Sequence, residues 1–144
     1  MNTKIIITVV IIFAIIVSFT VSTRAYYTPE NHPVLNEISR RFSLLSPKYG
    51  NIPLKSGNKS YTEDKTIITL CLVDPETKKY YDINILMYVA LHELSHCVTK
   101  ADGTQSHGDE FKNNFVSLLK QASNIGIYDP KQTIPLTYCG VDTE

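Results

Sequence analysis

The residues best placed to do chemistry are His92-Glu93-Leu94-Ser95-His96. A helix turns about 100° per residue, so two histidines four apart stand one above the other on one face, where both imidazoles can bind a single divalent ion. Glu93 projects to one side of that pair. From there its carboxylate reaches a water beside the ion rather than the ion itself, which is the general-base position in zinc hydrolases. The chemistry implied is zinc-assisted attack of water on a carbonyl.

Two histidines leave zinc short of the three protein ligands that catalytic sites provide. His107 is the leading third ligand, because a loop after the motif can turn the chain back and present its imidazole to the same ion. Glu110 is the alternative, with Asp102 and Asp109 behind it. Cys97 is a poor ligand: one residue beyond His96, it points about 100° away from the histidine stripe and reads as a small buried apolar residue. His32, before a proline, needs no role.

A motif of this kind needs a helix, and its flanks supply one. Ile85, Leu86, Val89, Leu91 and Leu94 form a nearly all-apolar run that predicts a helix buried on most sides, with Asp82 and Asn84 as alternative N-caps. Upstream, Thr66 to Val73 is β-branched and aliphatic and predicts a strand. Asp74-Pro75-Glu76-Thr77 predicts a turn, with Lys79-Tyr80-Tyr81 returning as the second strand of a hairpin and Ser60-Tyr61-Thr62 as a further short strand. An exposed edge of these strands either only covers the core or binds extended peptide by strand addition. Val34, Leu35, Ile38, Phe42 and Leu45 recur at helical spacing behind Pro33, and Ser46 to Ser60, with two prolines and two glycines, reads as loop. Phe111, Phe115, Leu118, Leu119 and Ala122 mark one face of another helix, opened by Asp109 and Glu110 and stopped by Gly126. Ile127 to Glu144 reads as an irregular tail.

With these elements in place, the chain resembles a family. His92-Glu93-Leu94-Ser95-His96, a short loop, then His107-Gly108-Asp109-Glu110-Phe111 followed by Phe115 and Leu118-Leu119, is similar to the WLM and SprT-like zinc metallopeptidases, a compact group akin to the minigluzincins. The likeness runs from about Tyr61 to Gly140. Leu70-Cys71-Leu72, Tyr81 to Asn84, Gly126-Ile127-Tyr128 and Tyr138-Cys139-Gly140 resemble small membrane-anchored members encoded by large DNA viruses. The resemblance implies an α+β, zincin-like domain: a short antiparallel sheet whose edge faces the cleft, an active-site helix and flanking helices. It implies His92, His96 and His107 as zinc ligands and Glu93 as catalytic base, with a protein or peptide as substrate. The basic extensions of relatives that digest DNA-crosslinked proteins are missing, so that substrate class does not transfer.

The whole chain sets bounds on this reading. Its 144 residues suffice for one domain, 34–144, and a formal net charge of zero with no basic cluster gives no footing for nucleic acid. Ile5 to Val21 carries no charged residue over a span of roughly 17 positions, at the short end of what crosses a bilayer. Residues 1–25 are therefore expected to be an N-terminal transmembrane anchor, with a cleavable signal peptide as the alternative, and 26–33 a tether. The resulting expectation is a single-pass protein of a host or virion membrane, of undetermined orientation. Cys71, Cys97 and Cys139 allow at most one disulfide, and Asn58-Lys59-Ser60 is a glycosylation sequon usable only in a secretory lumen.

The expected activity is peptide-bond hydrolysis by a membrane-anchored zinc enzyme. Tyr138, in a tail able to fold back over the cleft, is the candidate oxyanion donor; the alternative is a tyrosine that packs the tail onto the core. A membrane-anchored zinc-binding structural or interaction protein without catalysis is the competing function, and Glu93 argues against it, since a purely structural site calls for a fourth ligand rather than a base. A membrane adaptor without metal is the third.

Overall fold

Three α-helices and a small three-stranded sheet build one core in the computed structural model, which describes residues 31–100 and 107–143. Helix α1, Pro33–Leu45, starts on Pro33, whose missing N–H is one that a first turn leaves unpaired anyway. The His32 ring caps it, Nδ1 accepting from the Val34 N–H at 3.2 Å while Nε2 lies 3.2 Å from the Tyr80 hydroxyl. Its apolar face buries Leu35, Ile38 and Phe42. On its exposed face Glu37 bonds Arg40 and Arg41, and these hydrogen bonds hold the Glu37 carboxyl down at about 2.

Strand β3, Ile67–Cys71, is the centre of the sheet, as its β-branched and aliphatic composition requires. Strand β1, Leu54–Gly57, runs parallel to it on one side, and β2, Tyr61–Glu63, antiparallel on the other. The sheet order is thus β1-β3-β2, and the sheet is mixed where an antiparallel one was expected. β1 falls within the stretch read as loop. Of its side chains only Leu54 is buried, so it carries almost no apolar signal; it forms because β3 offers it a complete row of backbone partners. The expected hairpin with Lys79-Tyr80-Tyr81 shrinks to a single bridge between Val73 and Tyr80, because both edges of β3 are already taken. Its turn is present: Asp74 Oδ1 accepts from the N–H groups of Glu76 and Thr77 at 2.8 and 2.9 Å.

Helix α2, Ile83–Val98, lies under the sheet and is the most buried element, with Leu86, Met87, Ala90, Leu91 and Leu94 all within the core. Of the two candidate caps, Asp82 takes the role, its Oδ1 accepting from the Asn84 N–H at 2.8 Å. Asn84 instead turns inward and pairs with the Asp129 backbone, accepting from its N–H at 2.7 Å and donating to its carbonyl at 2.9 Å. Helix α3, Asp109–Asn124, packs beside α2 through Phe111, Leu118 and Ala122. Gly126, at φ 75°, takes the left-handed conformation that ends it, and the Ile127 N–H returns to the Ala122 carbonyl.

The tail read as irregular closes with a two-stranded hairpin, β4 (Thr137–Tyr138) and β5 (Val141–Asp142). Its two-residue turn, Cys139-Gly140, has both residues at positive φ, the conformation that suits the twist of a tight hairpin. A disulfide between Cys71 and Cys139 ties this hairpin to the end of β3 and leaves Cys97 as a free thiol.

The membrane expectation is corrected. Among the described residues no helix is long and apolar enough to cross a bilayer: α2, the most apolar, is a 16-residue core helix that carries the motif's charged and polar groups. A single-pass membrane protein, and a fold that includes a transmembrane helix, are therefore not supported. The segment 5–21 on which that expectation rested, with all of 1–30, lies outside the described residues, as does Asp102.

Candidate metal centre and cleft

The all-apolar flanks of α2 bury it against the sheet and α3, which leaves its His92–His96 face half-buried at the α3 side. At the start of α3 the chain brings in His107. Its Nε2 lies 3.2 Å from His92 Nε2 and 3.3 Å from His96 Nε2, and one nitrogen of each ring falls within 4.8 Å of the others. Such a cluster can hold a metal ion. Burial, reinforced by the neighbouring His96 and His107, pushes His92 down to about 4; burial, His107 and Lys65 lower His96. Both rings are therefore neutral at pH 7, with the lone pair that coordination needs.

Phe111 is the plate on which the three imidazoles rest. It is 3% exposed, and its ring centroid lies 4.9 Å from His92, 4.4 Å from His96 and 4.7 Å from His107. Phe115 adds an edge contact to His92 at 5.3 Å. The stripe of α3 read as a packing face thus also touches the rings of the cluster.

Glu93 is 6% exposed and faces the opposite flank, toward β2. The Thr62 hydroxyl lies 2.8 Å from Glu93 Oε2 and 2.9 Å from the Glu93 carbonyl oxygen. Burial pushes the carboxyl up to about 7, against the downward pull of the Thr62 hydrogen bond. Burial, opposed by the Thr62 hydrogen bond and helped by the nearby Glu93, pushes the half-buried Cys97 thiol up to about 11, and Cys97 stands outside the histidine cluster.

His92, Glu93 and His107 share one cavity of about 200 Å³. Its other walls are Tyr88 and Val89 from α2, Lys59 and Ser60 from the β1–β2 connection, and the β4–β5 hairpin from Tyr138 to Thr143. Tyr138 therefore stands in the cleft wall, but its hydroxyl donates to the Cys71 carbonyl and receives a longer contact from Ser60 Oγ at 3.4 Å. Burial raises the pKa of that hydroxyl above its usual value. The ring stacks at 4.6 Å on Tyr81, whose hydroxyl accepts from the Cys139 N–H at 3.0 Å.

His92, His96 and His107 thus come together, and Glu93 and Tyr138 line the cavity beside them. Glu110 does not join: its Oε1 accepts from the Lys100 N–H at 2.9 Å, closing the backbone where the chain leaves α2, and neither it nor Asp109 belongs to the cluster. Sequence reasoning passed over Thr62, Ser60 and Phe111. Phe111 carried a signal only as an apolar residue in the first turn of the helix that follows His107; Thr62 and Ser60 carried none, because their proximity to Glu93 depends on strand pairing.

No family model matches the chain, and no solved structure does. Three viral proteins are similar to it. "Uncharacterized protein 042R" of Invertebrate iridescent virus 3 is 34% identical over 116 residues, covering 81% of this chain and 70% of the relative. "Uncharacterized protein 136R" of Invertebrate iridescent virus 6 is 33% identical over 115 residues, 77% of this chain and 63% of the relative. "Uncharacterized protein R325" of Acanthamoeba polyphaga mimivirus is 35% identical over 115 residues, 78% and 56%. The chain spans less than two thirds of the last two. At that identity and coverage, the chain belongs to the viral family that includes protein 042R of Invertebrate iridescent virus 3.

Proposed function

We propose that this protein is a zinc-dependent peptidase of the WLM and SprT-like kind, with His92, His96 and His107 as ligands and Glu93 as general base. The observation that carries the reading is the convergence of three imidazole nitrogens beside a cavity that two of those histidines, His92 and His107, line together with the buried Glu93. The donor set fits zinc. Tetrahedral coordination at the usual Zn–N distance separates ligand nitrogens by roughly 3.3 Å, and His107 Nε2 lies 3.2 and 3.3 Å from its two neighbours' nitrogens. Three imidazoles with, among the described residues, no fourth protein ligand in the cluster are the set of a catalytic rather than a structural site.

Bound there, zinc supplies a Lewis acid that acidifies water and polarises a carbonyl. Glu93 supplies the proton transfers: its carboxylate takes a proton from the attacking water and returns it to the departing amine nitrogen, steps that require its oxygens to face the cavity. Strand β2 is the sheet edge next to α2, with Thr62 against Glu93, so an extended peptide pairing with that edge would lie across the cleft. The cavity walls of Tyr88, Val89, Tyr138 and Val141 favour a protein or peptide substrate.

The test uses the full-length protein, its zinc content and fluorescein-labelled casein as a generic unfolded substrate. Wild type is expected to hold one zinc and cleave casein; His107→Ala loses the metal and Glu110→Ala keeps it. Glu93→Gln keeps the metal while turnover falls by about 100-fold or more. Casein cleavage unchanged by Glu93→Gln, or zinc-loaded wild type that cleaves nothing, would leave the histidine cluster as a binding site without catalysis.

A further inference from the structure

Glu93 has to be held in place if its carboxylate is to act in the cleft. Its side chain has three rotatable bonds, and a base displaced by an ångström loses much of its use. Among the described residues, the hydrogen bond that restrains its carboxylate comes from Thr62 alone. Thr62 is itself fixed: it sits in β2 opposite Ile68 of β3, and Ile68 is fully buried. From that strand a single hydroxyl reaches both ends of Glu93, the carboxylate at 2.8 Å and the main-chain carbonyl at 2.9 Å. It has one proton, and rotation about the Cβ–Oγ bond directs it to either oxygen.

We infer that Thr62 is a positioning residue: its hydroxyl pins the Glu93 carboxylate against the sheet edge and holds it in the orientation that faces the cavity. The inference rests on the proposed peptidase reading for its catalytic consequence, and on the geometry alone for its structural one. Nothing in the motif encodes this arrangement, because Thr62 lies 31 residues before Glu93 and belongs to the strand beside which the substrate would run. The same strand would then orient both the peptide and the base that acts on it. A change in one register would move both together.

The experiment compares Thr62→Val, Thr62→Ala and Thr62→Ser in the full-length protein. Valine keeps the β-branched shape that suits a strand and removes the hydroxyl; alanine removes it without setting a new methyl group against the carboxylate; serine keeps it. With casein as probe, Thr62→Val and Thr62→Ala are expected to lower kcat by about 10- to 100-fold, with KM and zinc content unchanged, and Thr62→Ser to recover most of the loss. A purely structural role would instead lower melting temperature in all three without that split. Crystal structures give the readout that needs no activity: one Glu93 rotamer in wild type and Thr62→Ser, several in Thr62→Val and Thr62→Ala. Wild-type kcat in Thr62→Val, or a Glu93 carboxylate unmoved in its crystals, overturns the inference. If zinc-loaded wild type cleaves nothing, the peptidase reading fails, and the crystals still decide whether Thr62 holds Glu93.

Discussion

His92 and Glu93 are neighbours in the chain, yet what holds each of them comes from different parts of it. The histidine flank is local: α2 supplies two rings, and the next helix supplies His107 and, one turn into its path, the Phe111 plate beneath all three. The carboxylate flank is assembled from a distance. Thr62 arrives from β2, Ser60 from the connection before it, and Tyr138 from a C-terminal hairpin that reaches the site through a disulfide closing 68 residues of sequence. The difference teaches that the histidine cluster and the Glu93 carboxylate have separate supports in this fold, so each can be disturbed without the other.

The largest effect is expected where both purposes meet in one side chain. Phe111→Ala removes a buried ring from the α2–α3 contact and should destabilise the protein by about 3–5 kcal/mol in denaturant unfolding. Because three imidazoles rest on that ring, zinc affinity should fall too, by the roughly 10- to 100-fold typical of losing an outer support of the ligands. Phe111→Leu fills most of the volume and should spare most of the stability. Intact zinc affinity in a folded Phe111→Ala protein would show that the rings are oriented by their own helices and that the plate only packs.

On the other flank, Cys139→Ser removes the tie between the hairpin and β3 and should cost about 2–4 kcal/mol by freeing a long loop in the unfolded chain. Zinc content should not change, since the hairpin supplies a wall of the cleft and none of the three clustered histidines. Loss of metal on breaking the disulfide would erase the distinction between the flanks. Casein cleavage should fall in the same variant, because Tyr138 and Val141 would no longer complete the cavity.

The same division separates what the sequence makes legible from what it does not. Helices α1, α2 and α3 follow from spacing and stop signals within a few residues of each other, and so does the placing of His107 beside the pair in α2. Asp82 against Asn84 was undecidable, because both are good caps and only the Asp129 backbone claims Asn84. β1 is hidden because Leu54 is its one buried residue and hydrogen bonding to β3 does the rest. The hairpin after β3 fails for the complementary reason: a turn can be read from Asp74, but that no edge remains for its second strand cannot. With three cysteines, the pairing of Cys71 with Cys139 depends on where the tail travels, and the left-handed turn at Cys139-Gly140 that brings it there has only one glycine as its signal. The apolar span at 5–21 is legible as composition, but composition does not show a membrane helix, and the described residues contain none.

The smallest effect is expected from a single oxygen, and it decides between two roles for the hairpin. Tyr138 lines the cavity with Glu93, but its hydroxyl donates to the Cys71 carbonyl, the residue that also carries the disulfide. Donating there leaves the hydroxyl no second proton for an oxyanion; to serve one, it would have to swing away from that carbonyl and give up the bond. Tyr138→Phe keeps the ring against Tyr81 and removes only that bond, so stability should fall by about 1 kcal/mol. If the hairpin is a wall, kcat on casein stays within the range of wild type and zinc content is unchanged. A drop of about 100-fold in kcat at constant KM, the size seen when an oxyanion donor is removed, would mean that the hydroxyl leaves Cys71 during turnover. The carboxylate flank would then supply both the base and the oxyanion donor, and the disulfide would hold a working residue in place rather than a wall.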